Sequence, residues 1–214
     1  MDEKIDKFIH FLFMQYPNLK DIIKTFKWCS RYEDGKKYLV SDEHLTIDFD
    51  KFTEWMYHPP VKSADTLSFN KDYLIFIEFK SGDQTKHPNK LSKLIEGVQG
   101  KINDSDDTMT MLYKQCFSES NDRLKQKFFL VVDSKEMGIN PLITTLVGLS
   151  QRNNPNPNPK ERILLEQVTP DLKQNIKNKD HYETVGIWYS EIFSQYIAAE
   201  KILPLDTVIL SNGE

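Results

Sequence analysis

Apolar residues along the first third of the chain follow two spacings, one typical of helices and one typical of strands. Residues 5–13 place apolar side chains at helical intervals, which predicts an amphipathic helix ending before Pro17. A second short helix is predicted over residues 18–29, with Asn18 as its N-cap. Short strands are predicted at residues 37–40 and around residues 45–49.

The middle of the chain predicts two paired strands, a helix and a third strand. Residues 66–69 and 73–80 have strand character and are joined by a short polar turn, which favours an antiparallel hairpin. The second strand is apolar on both faces, as is typical of a central strand. A core-facing helix is predicted over residues 89–102 and a buried strand over residues 127–133. This order predicts an α/β sandwich, with helices flanking a mixed central sheet.

The remaining segments are read from breaker residues and aromatic spacing. The polar run at residues 103–107 predicts a break or kink, followed by a further helix over about 108–117 with Asp107 as its cap. Residues 153–159 alternate Asn and Pro, which predicts an exposed loop. An aromatic-rich helix is predicted over residues 182–200 and a short strand at 207–210.

Length and composition are those of one globular domain. The chain has 214 residues, of which 39% are hydrophobic and 28% are charged. We interpret residues 1–214 as a single domain, with a core motif at 63–133 and a helical extension at 134–214. No apolar run is long enough to cross a bilayer, and the opening Met1-Asp2-Glu3-Lys4 is unlike a signal peptide. We therefore expect a cytoplasmic protein without a membrane partner.

Charge and cysteine content exclude some functions and leave others open. The net charge of -4 gives no chain-wide attraction for nucleic acid, so such a partner must be held by local patches. Cys29 and Cys116 lack zinc-ligand spacing and are expected to be ordinary thiols. The sequence contains no Walker A loop, no GxSxG elbow and no HExxH motif.

Three ionisable residues stand out in the predicted hairpin: Asp65, Glu78 and Lys80. Because side chains alternate along a strand, Glu78 and Lys80 project from the same face, and the hairpin can bring Asp65 opposite them. One interpretation is a metal site made by converging carboxylates and an ammonium. The other is a set of solvated or mutually paired charges at a strand end.

The segment SADTLSFNKDYLIFIEFKSGD, residues 63–83, resembles the core motif of the PD-(D/E)XK nuclease superfamily, which includes many restriction endonucleases and resolvases. Asp65 matches the motif's Asp, and Glu78-Phe79-Lys80 matches its ExK. Ala64 stands where the superfamily name has proline. The resemblance has weaker support up to Asp133 and none beyond it. It implies a restriction-endonuclease-like fold and metal-dependent cleavage of DNA, in a restriction, defence or mobile-element setting.

The implied chemistry is consistent with what phosphodiester hydrolysis requires. A hard divalent cation neutralises the anionic transition state and generates hydroxide near neutral pH. Asp65 and Glu78 offer the oxygen ligands that Mg²⁺ or Mn²⁺ prefers, and the Phe79 carbonyl is a further candidate ligand. Lys80 is then placed to orient the attacking water or to stabilise developing charge.

Several weaker candidates accompany this site. In the superfamily an acidic residue on an early helix often completes the site, and Glu43 and Glu54 are candidates here or ordinary surface carboxylates. His87 follows the motif and is either an exposed loop residue or a catalytic part. The lysines near the motif can form a phosphate-binding rim or a solvated helix face; they are Lys62, Lys86, Lys90, Lys93 and Lys101.

A different class of function also fits the sequence. The chain can keep the nuclease fold without activity and act as a binding or regulatory module, through a protein or a nucleic-acid partner. A homodimer is also left open. Four aromatic residues near the end are interpreted as core or interface rather than as a base-stacking platform; they are Trp188, Tyr189, Phe193 and Tyr196.

Overall fold

A mixed β-sheet organises the chain in the computed structural model, which describes residues 3–32, 35–117, 123–140 and 159–205. In these residues six strands lie in the sheet in chain order. They are β1 (Ile23–Thr25), β2 (Leu45–Asp48), β3 (Thr66–Phe69), β4 (Tyr73–Lys80), β5 (Lys125–Val132) and β6 (Tyr182–Tyr189). The predicted α/β class with a mixed sheet is confirmed.

Helices cover both faces of this sheet. They are α1 (Glu3–Gln15), α2 (Phe26–Cys29), α3 (Phe49–Met56), α4 (Pro88–Cys116), α5 (Ser134–Met137), α6 (Pro159–Ile163), α7 (Thr169–Gln174) and α8 (Phe193–Glu200). A π-helical stretch, Leu164–Val168, joins α6 to α7, and short 3-10 turns occur at Pro17–Ile22, Lys179–His181 and Ser190–Ile192. None of the described helices is both long and apolar enough to span a bilayer.

The β3–β4 hairpin forms with the predicted bounds. Thr66 pairs with Ile77 and Phe69 with Leu74 in an antiparallel ladder. The turn is held by Asn70, whose Oδ1 accepts hydrogen bonds from the backbone N–H groups of Asp72 at 2.9 Å and Tyr73 at 2.8 Å. From β4 onward the sheet is parallel, so α4 carries the chain across the sheet between β4 and β5.

Side-chain alternation along β4 divides the core into two layers. Leu74 and Phe76 pack in the larger layer, together with the apolar face of α4, while Ile75, Ile77 and Phe79 pack in the smaller layer on the opposite face. This confirms that β4 is covered on both sides. Glu78 has the same parity as Phe76, so its side chain points to the face that α4 covers.

The predicted break at residues 103–107 is wrong, because α4 runs without interruption from Pro88 to Cys116. The polar side chains of this run bond to other parts of the chain. Asp104 and Ser105 accept hydrogen bonds from the backbone N–H groups of Lys62 and Ala64. Asn103, Asp106 and Asp107 bind the segment 177–181. Tertiary partners therefore remove the competition with the helix that these polar residues present locally.

Three other element predictions are corrected. Residues 182–189 form β6 rather than a helix, because this stretch pairs with β5 and the Trp188 ring stacks on Phe129 at a centroid distance of 3.9 Å. The predicted helix over residues 18–29 is divided into a 3-10 turn, β1 and α2. In place of a strand at 37–40 there is a single bridge between Arg31 and Tyr38. The strand predicted at 207–210 and most of the loop predicted at 153–159 lie outside the described residues.

Asp106 is a charged residue of α4 that is almost completely buried. Only 2% of it is exposed, and its carboxylate accepts from the Asn178 amide and contacts His181 Nδ1 at 2.7 Å. Asp106→Ala should lower the free energy of unfolding by about 1 to 3 kcal/mol, since it leaves buried polar partners unsatisfied. Urea unfolding measures this loss. The neighbouring Asp107→Ala removes an exposed pair with Lys177 and should cost less than about 1 kcal/mol; equal losses would contradict this account.

Candidate active site

The hairpin brings the three residues singled out in the sequence to one end of the sheet. Asp65 immediately precedes β3, while Glu78 and Lys80 lie in the last part of β4, at the end of the hairpin far from its turn. The pairing of Thr66 with Ile77, continued by one residue, sets Asp65 opposite Glu78. Glu78 is 0% exposed, whereas one third of the Lys80 side chain reaches solvent. The site is therefore a buried acid flanked by more accessible groups.

One ammonium group lies among the carboxylates. Lys101 Nζ, from α4, is 2.9 Å from Asp65 Oδ1, 2.8 Å from Glu78 Oε2 and 3.7 Å from Asp50 Oδ2. On the other side, Lys80 Nζ lies 2.6 Å from Glu78 Oε1, an ion-pair contact without hydrogen-bond geometry. The backbone N–H of Phe79 donates to Asp65 Oδ2 at 2.7 Å and fixes that carboxylate. Three acids and two ammonium groups thus converge.

Asp50 is the site residue that sequence reasoning missed, and Lys101 was named only as one of the lysines of a phosphate-binding rim or solvated helix face. The early-helix acid that reaches the site is Asp50, in the first turn of α3, rather than Glu43 or Glu54, which form exposed pairs with Lys27 and Lys51. Asp50 Oδ1 accepts from Ser63 Oγ at 2.5 Å, which ties α3 to the start of the hairpin.

Lys101 corrects the interpretation of the helix lysines as a uniform rim or solvated face. It lies three residues after Val98 and seven after Leu94, both buried on the core-facing stripe of α4. That spacing places it on the edge of the stripe and next to the hairpin. This helical position was the signal available in the sequence. His87, by contrast, is exposed at the N-cap position of α4.

Burial controls the acid–base behaviour of the carboxyl groups. Burial, reinforced by the charge of Asp65 and opposed by Lys101 and Lys80, raises the pKa of Glu78 to about 8. For the half-exposed Asp50, burial also raises the pKa, to about 6, against the opposing effect of Lys101. The pKa of Lys101 is raised because the three neighbouring carboxylates outweigh its own burial.

The carboxylate oxygens of the site suit a hard cation. In this structure the Lys101 ammonium lies between them. Among the described residues no group of three or more His, Cys, Asp or Glu side chains is arranged to hold a metal ion. Asp65 Oδ1 and Glu78 Oε2 nevertheless both contact the Lys101 ammonium, so the two carboxylates already face one cationic group. Carboxylate oxygens are the ligands that Mg²⁺ and Mn²⁺ favour.

Comparison of the chain with protein-family models, with curated proteins and with solved structures finds no match. The site contains a buried carboxylate, a second carboxylate fixed by a backbone N–H, a third acid at the rim and two ammonium groups. Together these groups can bind a cation and an anion side by side.

The raised pKa of Glu78 predicts how stability depends on pH. The folded-state pKa is about 8 against an ordinary value of 4.5, so between these values the folded protein binds more protons than the unfolded chain. The free energy of unfolding must then fall as pH rises through this window, by at most about 1.4 kcal/mol per pH unit. Urea unfolding in the presence of EDTA measures the slope.

Two variants isolate this contribution. Glu78→Gln should remove the Glu78 part of the slope, while Glu54→Gln, at an exposed ion pair, should keep the wild-type dependence. The assignment fails if Glu78→Gln and wild type show the same slope between pH 6 and about pH 8.

Proposed function

We propose that this chain hydrolyses phosphodiester bonds in DNA with the help of Mg²⁺ or Mn²⁺, in a restriction-endonuclease-like fold. The observation that supports it most is that Asp65 and Glu78 both contact the Lys101 ammonium, with Lys80 adjacent. Burying Glu78 among apolar neighbours costs stability. A carboxylate in such a position is expected where it binds a cation beside a phosphate.

The topology supports the fold part of the proposal. The motif hairpin β3–β4 is antiparallel, α4 crosses over, and β5 adds in parallel beside β4. This arrangement aims the acids of two strands and the inner edge of α4 at one end of the sheet. It matches what the resemblance of residues 63–83 implies, and the acid on α3 matches the expectation of a further carboxylate on an early helix.

Each side chain has a distinct role in the proposed reaction. Asp65 and Glu78 would hold the metal ion, and the Phe79 carbonyl would be a further oxygen ligand. When bound, the ion supplies charge stabilisation and a water of lowered pKa. In the net reaction a water oxygen bonds to phosphorus, one P–O ester bond breaks, and the departing oxygen takes up a proton.

The two lysines have different roles in the proposed reaction. Lys80 orients the attacking water or stabilises the charge that develops on the phosphate oxygens, since its ammonium lies beside Glu78 and is partly open to solvent. Lys101 holds the carboxylates together before the cation enters. With the cation bound, its ammonium must leave the shared point, because two positive groups repel each other there.

A second candidate function is a binding or regulatory module that has kept the nuclease fold without its activity. The observation that favours it is Lys101 itself. Its ammonium already donates hydrogen bonds to Asp65 Oδ1 and Glu78 Oε2, so the chain's own residues compensate part of the charge of both acids. In that case the cluster stabilises the fold, and the protein acts through a protein or nucleic-acid partner.

The proposed activity is tested with linear, circular, single-stranded and branched DNA, with and without Mn²⁺. Wild type should cut at least one of these substrates only with the metal present. Asp65→Asn and Glu78→Gln should each lose at least about 100-fold in rate, since the metal supplies both nucleophile and charge stabilisation. Lys80→Ala should lose about 10- to 1,000-fold, the range for one stabilising group.

The matched control is Asp72→Asn, an acid in the turn of the same hairpin that lies away from the cluster. It should cut like wild type. Cleavage that persists in all three site variants points to a contaminating nuclease or to another site. A wild-type protein that folds and cuts none of the substrates would favour the binding module.

Lys101→Met separates the two candidate functions by metal binding. Without metal, the variant should lose about 3 kcal/mol of stability, because the buried Glu78 keeps fewer partners. Mn²⁺ should restore the loss and bind more tightly than to wild type, since the competing ammonium is gone. Calorimetric titration and thermal unfolding with and without Mn²⁺ measure both effects.

Lys127→Met is the control, because Lys127 forms a comparably buried ion pair with Glu200 at 2.8 Å away from the site. This variant should also lose stability, and Mn²⁺ should not restore it. If Mn²⁺ fails to restore Lys101→Met as well, the carboxylates do not form a metal site.

A further inference from the structure

An exposed aromatic and cationic surface borders the carboxylates. It consists of Lys27, Trp28, Arg31 and Tyr38, here called the α2 strip. Trp28 is 44% exposed and Tyr38 is 41% exposed, which is unusual for such large apolar groups in the described residues. The Arg31 guanidinium lies 4.2 Å from the centre of the Trp28 ring, and Lys27 Nζ lies 5.5 Å from the Tyr38 ring. The strip alternates rings with cations.

The strip opens onto the same depressions as the acids. Trp28 and Arg31 line a cavity of about 200 Å³ together with Asp50 and Asp65. Arg31 also lines an adjoining cavity of about 390 Å³ with Asp65 and Lys80. A ligand whose phosphate sits at the carboxylates is therefore within reach of the indole and the guanidinium.

Buried residues beneath the α2 strip hold it in place. Phe26 of α2 is fully buried and packs against Phe193 at a centroid distance of 5.2 Å. Ser30 is also buried, and its Oγ accepts the Val40 N–H at 3.2 Å, which pins the far end of the segment. The Thr25 side chain caps α2 by accepting from the Trp28 N–H at 3.1 Å. The Trp28 ring is thus presented by an ordered scaffold.

The Arg31 guanidinium has N–H groups that can bind an anion. Within the described part of the chain no carboxylate forms an ion pair with its guanidinium, whose stacking on Trp28 leaves the N–H edges available. Lys27, in contrast, is paired with Glu43 at 2.7 Å. With a net charge of -4, the protein has to attract nucleic acid through local groups of this kind.

We propose that Trp28 and Arg31 form a subsite for an unpaired nucleotide beside the scissile phosphate, in which the base stacks on the indole and Arg31 contacts the backbone. This inference rests on the proposed function and extends it to a substrate class. A base inside a duplex is paired and stacked on its neighbours, so its face is closed to an indole. The chain should therefore prefer DNA with single-stranded segments to continuous duplex.

Binding is measured by fluorescence anisotropy of a dye-labelled oligo(dT) and of the same strand in a duplex, with EDTA present so that metal-dependent cleavage is suppressed. Wild type should bind the single strand more tightly. Trp28→Ala should weaken that binding about 5- to 100-fold, in line with the loss of one base–aromatic stack, while Trp28→Phe should retain most of it. Arg31→Ala should weaken it and reduce its salt dependence by about one ion.

Trp55→Ala is the matched control, since Trp55 is 41% exposed and lies on α3, outside the α2 strip. It should bind oligo(dT) within about twofold of wild type. Thermal unfolding of each variant shows that the fold is kept. Equal weakening by Trp28→Ala and Trp55→Ala, equal affinity for single strand and duplex, or no binding of oligo(dT) by wild type, as expected of a strip that binds protein, would each overturn the proposal.

The cleavage assays keep this proposal distinct from the proposed function. If wild type cuts DNA and Trp28→Ala keeps the wild-type substrate preference, the subsite is wrong and the nuclease stands. If oligo(dT) binding depends on Trp28 as expected while no substrate is cut, the subsite stands and the nuclease is wrong.

Discussion

Burying the Glu78 carboxylate is the constraint on which the rest of this site depends. It sits fully buried on a strand whose neighbours are apolar, and an unpaired charge there would be prohibitively costly. The sheet and the helix meet this requirement from two sides, because Lys80 follows on the same strand face and Lys101 arrives from α4. The middle of α4 is also tied to the hairpin, because Asp104 and Ser105 accept hydrogen bonds from the backbone N–H groups of Lys62 and Ala64, next to Asp65.

The pairing of the carboxylates with lysines links the stability of the fold to the proposed cation binding. Three carboxyl groups share two ammonium groups, so the cluster retains affinity for additional positive charge. A divalent cation entering beside Asp65 and Glu78 would replace the proton and the ammonium that satisfy them now. Metal binding, proton release and movement of Lys101 are thus expected to be coupled. Trp28 and Arg31 line one cavity together with Asp50 and Asp65, so a substrate held by them would lie next to the carboxylates.

The sequence was informative where the relevant interactions are local. The hairpin follows from two strand-like runs joined by the short polar turn at Asn70, and the alternation of side chains along a strand puts Glu78 and Lys80 on one face. Asp50 and Lys101 could not be placed with similar certainty, because they come from other elements and become neighbours only when α3 and α4 pack on the sheet. Long-range bonds also explain the continuous α4. The aromatic spacing of β6 fits a helix as well as a strand, and only its pairing with β5 decides between them.

Anomalous diffraction from crystals soaked in Mn²⁺ shows whether the carboxylates around Lys101 form a cation site. We expect one anomalous peak bonded to oxygens of Asp65 and Glu78 at about 2.1 Å, with the Phe79 carbonyl as a further ligand. Lys101 Nζ should then have moved from its position 2.8 Å from Glu78 Oε2. A structure in which Mn²⁺ binds elsewhere, while Lys101 keeps its contacts with both acids, would contradict this assignment.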